Sequence, residues 1–291
     1  MFSILPLLFI GGCIKNQPES KTPVLQGHRI SGVSQQPSQA LRHAMQQEYP
    51  SIEVDVSLTA DQILIMHHDY WLNKDTCKDK DGNPIPDRIF IKDYRWKQLQ
   101  QDTICSNTIL SIEELFASTM LSSNILINLD IKYHPTFTQP KEKFVDALIK
   151  LISQYPNRKI MITTSNTHIV QRLKKSLSIP ILLEYPFFSS SNLNYQNIMI
   201  ALYAKLKKTL GIVRFVDLVF QSHADGISLP FQIVSLRDVH HLKKKDMTIL
   251  LFTAQTDKHA QKFCSWPIDI LISDIPEAAP CFRPIIKTAS D

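Results

Sequence analysis

Glycine is scarce in this chain: 291 residues contain only seven. Tight turns must therefore rest on Asn, Ser, Asp and Pro, and no glycine-rich loop is present to cradle a nucleotide's phosphates. The five cysteines include no C-x-x-C pair, which excludes the common zinc and dithiol-redox motifs. No apolar run reaches the ~20 residues that a membrane-spanning helix requires. Internal repeats and low-complexity tracts are also missing. Lys and Arg exceed Asp and Glu by 32 to 27, a formal charge of +5, but the basic residues are scattered. The one tight run, Lys243 to Lys245, reads as a solvated helix end, so no nucleic-acid partner is expected. An apolar content of 44% is ordinary and sufficient for a sizeable core.

Residues 1–13, M-F-S-I-L-P-L-L-F-I-G-G-C, read as a signal peptide. Ile10-Gly11-Gly12-Cys13 resembles the lipobox at which bacterial lipoproteins are processed. Lipidation at Cys13 would leave an exported protein anchored to a membrane, with residues 14–22 as a tether. Ile14 in place of Asp points to the periplasmic side of the outer membrane; a soluble periplasmic or secreted protein is the alternative. The other four cysteines make an even set, as an oxidising compartment favours. Cys77 with Cys105 would close a long loop, and Cys264 with Cys281 would staple the C-terminal segment; four free thiols are the other reading.

The chemistry gathers in Ser51 to Asp69, S-I-E-V-D-V-S-L-T-A-D-Q-I-L-I-M-H-H-D. Two apolar alternating runs flank Thr59 to Gln62, so a β-hairpin turning at Ala60 and Asp61 is expected. Its register would set Glu53 across from His68 and Asp55 across from Met66. Side chains alternate faces along a strand, which puts Glu53, Asp55 and His68 on one face. Ala-Asp is not a favoured two-residue turn, and a longer loop would shift the register and exchange His67 for His68. Two carboxylates on a buried wall are costly unless a cation neutralises them. Oxygen ligands without cysteine favour Ca²⁺ or Mg²⁺ over zinc.

Beyond the hairpin, residues 71–111 form a long connection. Within it, Asp79, Asp81 and Asn83 have the spacing of a calcium loop but lack its closing acid, and read as a polar turn. Further on, strand-like runs alternate with helical patterns. Strands are expected at 124–131, 159–164, 180–185, 225–229, 248–253 and 268–273. Helices are expected at 38–48, 141–155, 168–176, 197–208, 234–245 and 258–263, with the first strand at 22–26. Repeated βα units of this length, about eight in all, favour an α/β fold of the (β/α)8 TIM-barrel class spanning residues 23–283, with 284–291 a tail. A doubly wound open sheet is the runner-up.

The motifs carry a family likeness. Glu53-Val54-Asp55-Val56 with His68-Asp69 resembles the E-L-D-V … H-D core of the glycerophosphodiester phosphodiesterases, within the phosphatidylinositol-phospholipase-C-like superfamily. Gly27-His28-Arg29 resembles that family's H-R-G opening, and Asn128 to Lys132 its E-I-K strand. Leu250 to Thr253 and Asp269 to Pro276 echo its V-W-T strand and its last strand and turn. The resemblance covers Pro23 to Pro276. It implies a phosphodiester hydrolase with His28 and His68 as an acid/base pair. It further implies Glu53, Asp55 and Asp130 on one divalent cation, Arg29 and Lys132 for the substrate phosphate, and Phe252 at the pocket rim. The implied substrate is a glycerophosphodiester, cleaved to sn-glycerol 3-phosphate and an alcohol. Phospholipase D-like action on a lysophospholipid or sphingolipid, and a non-catalytic ligand-binding lipoprotein, are the competing readings. This chain departs from the family at Ile30 (Gly in the family), at Ser34-Gln35-Gln36-Pro37 (P-E-N-T), at Asp130 (Glu) and at Phe252 (Trp).

Overall fold

The computed structural model describes residues 22–30, 37–72, 74, 77–86, 88–105, 109–185 and 215–281. Cys13 and the leader, the Ser34 to Gln36 segment, the helix expected at 197–208 and the tail lie outside those residues.

In chain order the strands are β1 (Val24–Gly27), β2 (Ser51–Leu58), β3 (Leu64–Met66), β4 (Trp71–Leu72) and β5 (Cys77–Asp79). Then come β6 (Ile89–Phe90), β7 (Thr103–Cys105), β8 (Leu126–Ile131), β9 (Lys159–Thr164) and β10 (Ile181–Glu184). The last three are β11 (Gly226–Pro230), β12 (Thr248–Ala254) and β13 (Ile270–Ser273). Eight of these run parallel in the order β1-β13-β12-β11-β10-β9-β8-β2, and β2 returns to pair with β1 through Gln26↔Ser51 and Gly27↔Ile52. The sheet is thus closed, a (β/α)8 barrel with helices between its strands.

Strands buried on both faces read as nearly continuous apolar runs, and alternation sorts their side chains. Ile160, Ile162, Ile181, Leu183, Ile249, Leu251 and Leu271 join the core shared with the surrounding helices. Their alternates Met161, Leu182, Leu250, Ile270 and Ile272 form a separate apolar cluster in the lumen. Above and beside it, Asn128 Nδ2 donates to Gln26 Oε1 at 3.2 Å, and Thr163 Oγ1 donates to Asn128 Oδ1 at 3.3 Å. One glycine is dictated by close approach. A Cβ on Gly226 would lie 2.1 Å from the Thr248 carbonyl oxygen on the neighbouring strand, a backbone contact that cannot rotate away.

The expected hairpin exists, but its register is one residue different. Val56 pairs with Met66, Ser57 with Ile65 and Leu58 with Leu64, so Glu53 does not face His68 and Asp55 does not face Met66. The cause is a wider turn. Thr59 Oγ1 accepts from Ile63 N at 3.0 Å, Thr59 N donates to Ile63 O at 3.1 Å, and Gln62 takes a left-handed φ of 62°. Asp61 caps the helix Trp96–Asp102 rather than a two-residue turn, accepting from Trp96 N at 2.9 Å.

The connection 71–111 is a small body of its own. Two antiparallel pairs, β4 with β6 and β5 with β7, enclose a second core of Ile65, Leu72, Cys77, Ile85, Ile89, Ile91 and Leu99. Asp79 organises the turn there, taking hydrogen bonds from Asp81 N, Asn83 N and Asn83 Nδ2. Cys77 is disulfide-bonded, and its ladder partner across β5 and β7 is Cys105. Cys264, at the end of helix Asp257–Cys264, is disulfide-bonded to Cys281 with Cα atoms 5.4 Å apart.

Candidate active site

Glu53 and Asp55 are two residues apart on β2, and Asp55 pairs across the sheet with Asp130 on β8. Alternation turns all three into the lumen near the C-terminal strand ends, where barrels of this kind carry their chemistry. They are 2%, 6% and 7% exposed, and one oxygen from each lies within 4.8 Å of the others. Carboxylates at that spacing repel by about 3.5 kcal/mol per pair at an effective dielectric of ~20. Three such pairs come to roughly 10 kcal/mol, comparable to the stability of a whole domain. Compensating charge is therefore required.

Two cations supply part of it. Lys132 Nζ lies 2.9 Å from Asp55 Oδ1 and also contacts Asp130 Oδ2. Arg29 Nε lies 3.0 Å from Asp55 Oδ2, an ion pair outside hydrogen-bond geometry. Burial alone would raise the Asp55 carboxyl, but Lys132, then His68, Arg29 and His28, outweigh it and hold Asp55 far below the usual carboxylate range. Glu53 goes the other way. Burial, followed by Asp55 and Asp130, pushes it well up, against the opposing pull of Lys132 and of a 2.8 Å hydrogen bond from Arg29 N. Burial likewise opposes the charge on Lys132, yet Asp130, Asp55, Glu184 and Glu53 together raise its pKa well above the ordinary value.

Glu184 is the fourth acid here. It ends β10, two residues beyond the luminal Leu182, and faces the same lumen one layer higher. Burial and then Asp130 raise its pKa well above the ordinary value. Four carboxylates thus meet two permanent cations, and full ionisation leaves two negative charges, the complement of one divalent ion. The donor set fits such an ion as well. One oxygen from each of Glu53, Asp55 and Asp130 lies within 4.8 Å of the others, close enough for a single ion at a calcium–oxygen distance of ~2.4 Å to touch all three. Glu53, Asp55 and Asp130 can hold a metal ion.

Both sequence-designated histidines lie by this cluster, each tied to its own carboxylate. His28 Nδ1 is 2.6 Å from Asp274 Oδ1, and His68 Nδ1 is 2.8 Å from Asp69 Oδ1. A ring pinned at Nδ1 presents Nε2 to whatever enters the mouth. The shifted hairpin brings the His67 backbone, in place of Met66, across from Asp55, through a 3.1 Å bond from His67 N to Asp55 O. Strand pairing stops at Met66, however, so alternation no longer governs the rings. Burial holds the His67 imidazole below its usual pKa, and its Nδ1 meets the Asp69 carbonyl at 2.9 Å.

Arg29 and Ile30 both adopt left-handed backbone, φ 48° and 57°, a conformation unusual for a β-branched residue. Ile30 is 1% exposed and packs in the core with Ala40, Leu41 and Ala44. Burial offsets the strain, and the side chain does not reach over the mouth. Phe252 packs half-buried against the luminal cluster. A rim of Tyr70, Trp71, Phe90, His134 and Phe137 stands beyond Asp69, with Phe137 stacked on His134 at 4.4 Å and on Phe90 at 5.6 Å.

Asp274 and Glu184 were not singled out by the sequence reading. Each is the acid at or just past the C-terminal end of a barrel strand, which is the signal that would have found them.

A (β/α)8 barrel with paired imidazoles and an acidic cluster at its C-terminal mouth is suited to acid-base hydrolysis, and the family match makes the class a phosphoric diester hydrolase. The chain matches the glycerophosphoryl diester phosphodiesterase family over residues 37–278 and belongs to it. Solved structures share the fold. A provisionally assigned glycerophosphoryl diester phosphodiesterase of Agrobacterium tumefaciens is 16% identical with a TM-score of 0.71, covering 89% of this chain and 96% of its own. An Oleispira antarctica phosphodiesterase, solved in complex with the product sn-glycerol-3-phosphate, is 18% identical with a TM-score of 0.64, covering 88% and 94%. The glycerophosphodiester phosphodiesterase of Thermotoga maritima is 17% identical with a TM-score of 0.61, covering 87% and 94%. No curated protein matches the chain.

The raised pKa of Glu53 makes a proton compete with any cation for the cluster. Without a cation, the Glu53 contribution to stability is full below the ordinary glutamate pKa and is lost as pH rises through the raised one. A divalent cation supplies what is then missing. Its effect on melting temperature should therefore grow from pH 5 to pH 8, measured as paired thermal melts with and without Ca²⁺. A shift of equal size at both pH values would contradict this.

Proposed function

We propose that this chain hydrolyses glycerophosphodiesters to sn-glycerol 3-phosphate and an alcohol. In this reading, Glu53, Asp55 and Asp130 hold one divalent cation, Ca²⁺ or Mg²⁺. The observation that carries it is a pair of carboxylate-tethered imidazoles, both within electrostatic reach of Asp55 in a buried three-acid cluster. The product bound in the Oleispira antarctica relative supports the substrate class.

When bound, the cation supplies Lewis-acid charge to the phosphate oxygens. Arg29 and Lys132, paired to Asp55 in the present arrangement, lie where a phosphodiester would meet both, and they add fixed positive charge as negative charge builds. Asp274 and Asp69 orient His28 and His68. One imidazole Nε2 takes the proton of the attacking oxygen, and the other protonates the departing alkoxide, the usual general acid-base work of histidine. Phe252 forms an apolar wall at the mouth.

His28→Ala and His68→Ala should each lower kcat on glycerophosphocholine by about 10²- to 10⁴-fold, with melting temperatures close to wild type. A chelator should abolish turnover, and Ca²⁺ or Mg²⁺ should restore it. Full activity in either variant, or in the chelated protein, would refute the mechanism.

Export as a lipoprotein modified at Cys13 belongs to the same reading. The Cys264–Cys281 bond supports it, because such bonds persist in oxidising compartments. The protein extracted from bacterial membranes should carry a diacylglyceryl mass on Cys13 and lack residues 1–12. An unmodified Cys13 behind an intact leader would rule this out.

A further inference from the structure

At the exit of β13, one hydroxyl sits in a layer that is otherwise apolar. Ser273 ends the strand and is 0% exposed. Ile270 and Ile272 face the lumen while Leu271 packs outward with the helices, so alternation turns Ser273 outward too, away from the mouth. Its Oγ donates to Ala254 O on the neighbouring strand at 3.1 Å and accepts from Ile275 N at 3.1 Å. Between Ser273 and Ile275 stands Asp274, whose own N donates to the same Ala254 carbonyl at 3.0 Å. Asp274 Oδ1 in turn meets His28 Nδ1 at 2.6 Å.

A hydroxyl buried among apolar groups costs free energy unless it is hydrogen-bonded. This one spends both its donor and its acceptor on the backbone that frames Asp274. The bond from Ile275 N closes the kind of turn that Ser makes with the backbone two residues on, and Asp274 is its central residue. The bond to Ala254 O ties that turn to β12 just past the shift in register between Leu251 and Ala254. A ladder is locally disrupted at such a shift, so side-chain bonds carry the alignment there. The rest of the segment is held independently: Tyr49 OH donates to Glu277 Oε2 at 2.5 Å, and Cys281 is bonded to Cys264. Loss of the hydroxyl would therefore loosen Asp274 without releasing the segment.

We propose that Ser273 is a positioning residue for the reaction: by fixing the turn around Asp274, it sets the direction in which the His28 ring is presented. This rests on the reading of His28 as one of the acid/base pair and deepens it. Ser273 faces away from the lumen and acts only through Asp274.

The test compares Ser273→Ala with Ser273→Thr, which keeps the hydroxyl, and with Ser273→Val, which has the shape of the Thr variant without it. Two quantities are read on the full chain loaded with Ca²⁺. One is the pair kcat and KM on glycerophosphocholine. The other is the downfield proton resonance of the His28 Nδ1–H bond to Asp274, identified by its loss in His28→Ala. The Ala and Val variants should lose roughly 10- to 100-fold in kcat, the cost of a reacting group displaced by about 1 Å, with KM within about twofold of wild type. Their Nδ1 proton signal should broaden or vanish, while the Thr variant keeps the signal and most of the rate. In an Asp274→Asn background, Ser273→Ala should cost less than about twofold more, because the two residues act in series. Should the Ala variant not fold, the Thr and Val pair carries the comparison. Equal losses in the Thr and Val variants would mean that the site answers to shape alone, and would overturn the proposal. A loss that adds in full to that of Asp274→Asn would overturn it as well, as would wild-type rate and signal in the Ala and Val variants. Wild-type protein that shows the His28 signal yet fails to turn over glycerophosphocholine would instead refute the parent reading, and the signal would still test Ser273, so the two failures are distinguishable.

Discussion

Repulsion among buried carboxylates is the constraint around which this barrel is arranged. Glu53, Asp55 and Asp130 sit within 4.8 Å of one another at under a tenth exposure, with Glu184 close enough to respond to all three. Nothing in the apolar packing requires this. The alternate positions on the same strands, Ile52, Val54, Leu129 and Ile131, are ordinary core residues. The acids are tolerated because Lys132 and Arg29 converge on Asp55 from opposite oxygens. That compensation is incomplete, and the excess negative charge suits the mouth to a cation.

The same electrostatics organises the histidines. Asp69 and Asp274 each take one imidazole Nδ1, so the rings are oriented by acids separate from the cluster. His28 arrives just past β1 and Asp274 just past β13, neighbouring strands that are the first and last of the barrel. Closing the ring is therefore what brings this couple together, and an open sheet would leave it apart. The 71–111 body, with its own small core, stands beside the mouth without supplying any of these groups.

Much of this was legible in the sequence. The strand at Lys159–Thr164 falls where the periodicity puts it, and the helix Lys141–Gln154 ends one residue earlier than expected. Glu53 and Asp55 were recognisable because carboxylates interrupt a run that is otherwise apolar, and Asp130 through the likeness of Asn128 to Lys132 to the family's E-I-K strand. The hairpin register was not legible. It depends on the Thr59 hydroxyl closing onto Ile63 and on Asp61 reaching Trp96, a tertiary contact that alternation cannot register. The structure of 71–111 was hidden for another reason, since strands of two or three residues carry no period. Asp274 and Glu184 were overlooked although each lies at the end of an expected strand. Ile30, which stands where the family has glycine, packs into the core because its left-handed backbone turns it inward.

The most direct test of the account is a crystal structure of the protein grown with Ca²⁺. The account requires one calcium peak bounded by an oxygen from each of Glu53, Asp55 and Asp130, at about 2.3–2.6 Å, with His28 and His68 both bordering the same space. Calcium bound elsewhere, or a cluster closed by Lys132 alone at saturating calcium, would contradict it.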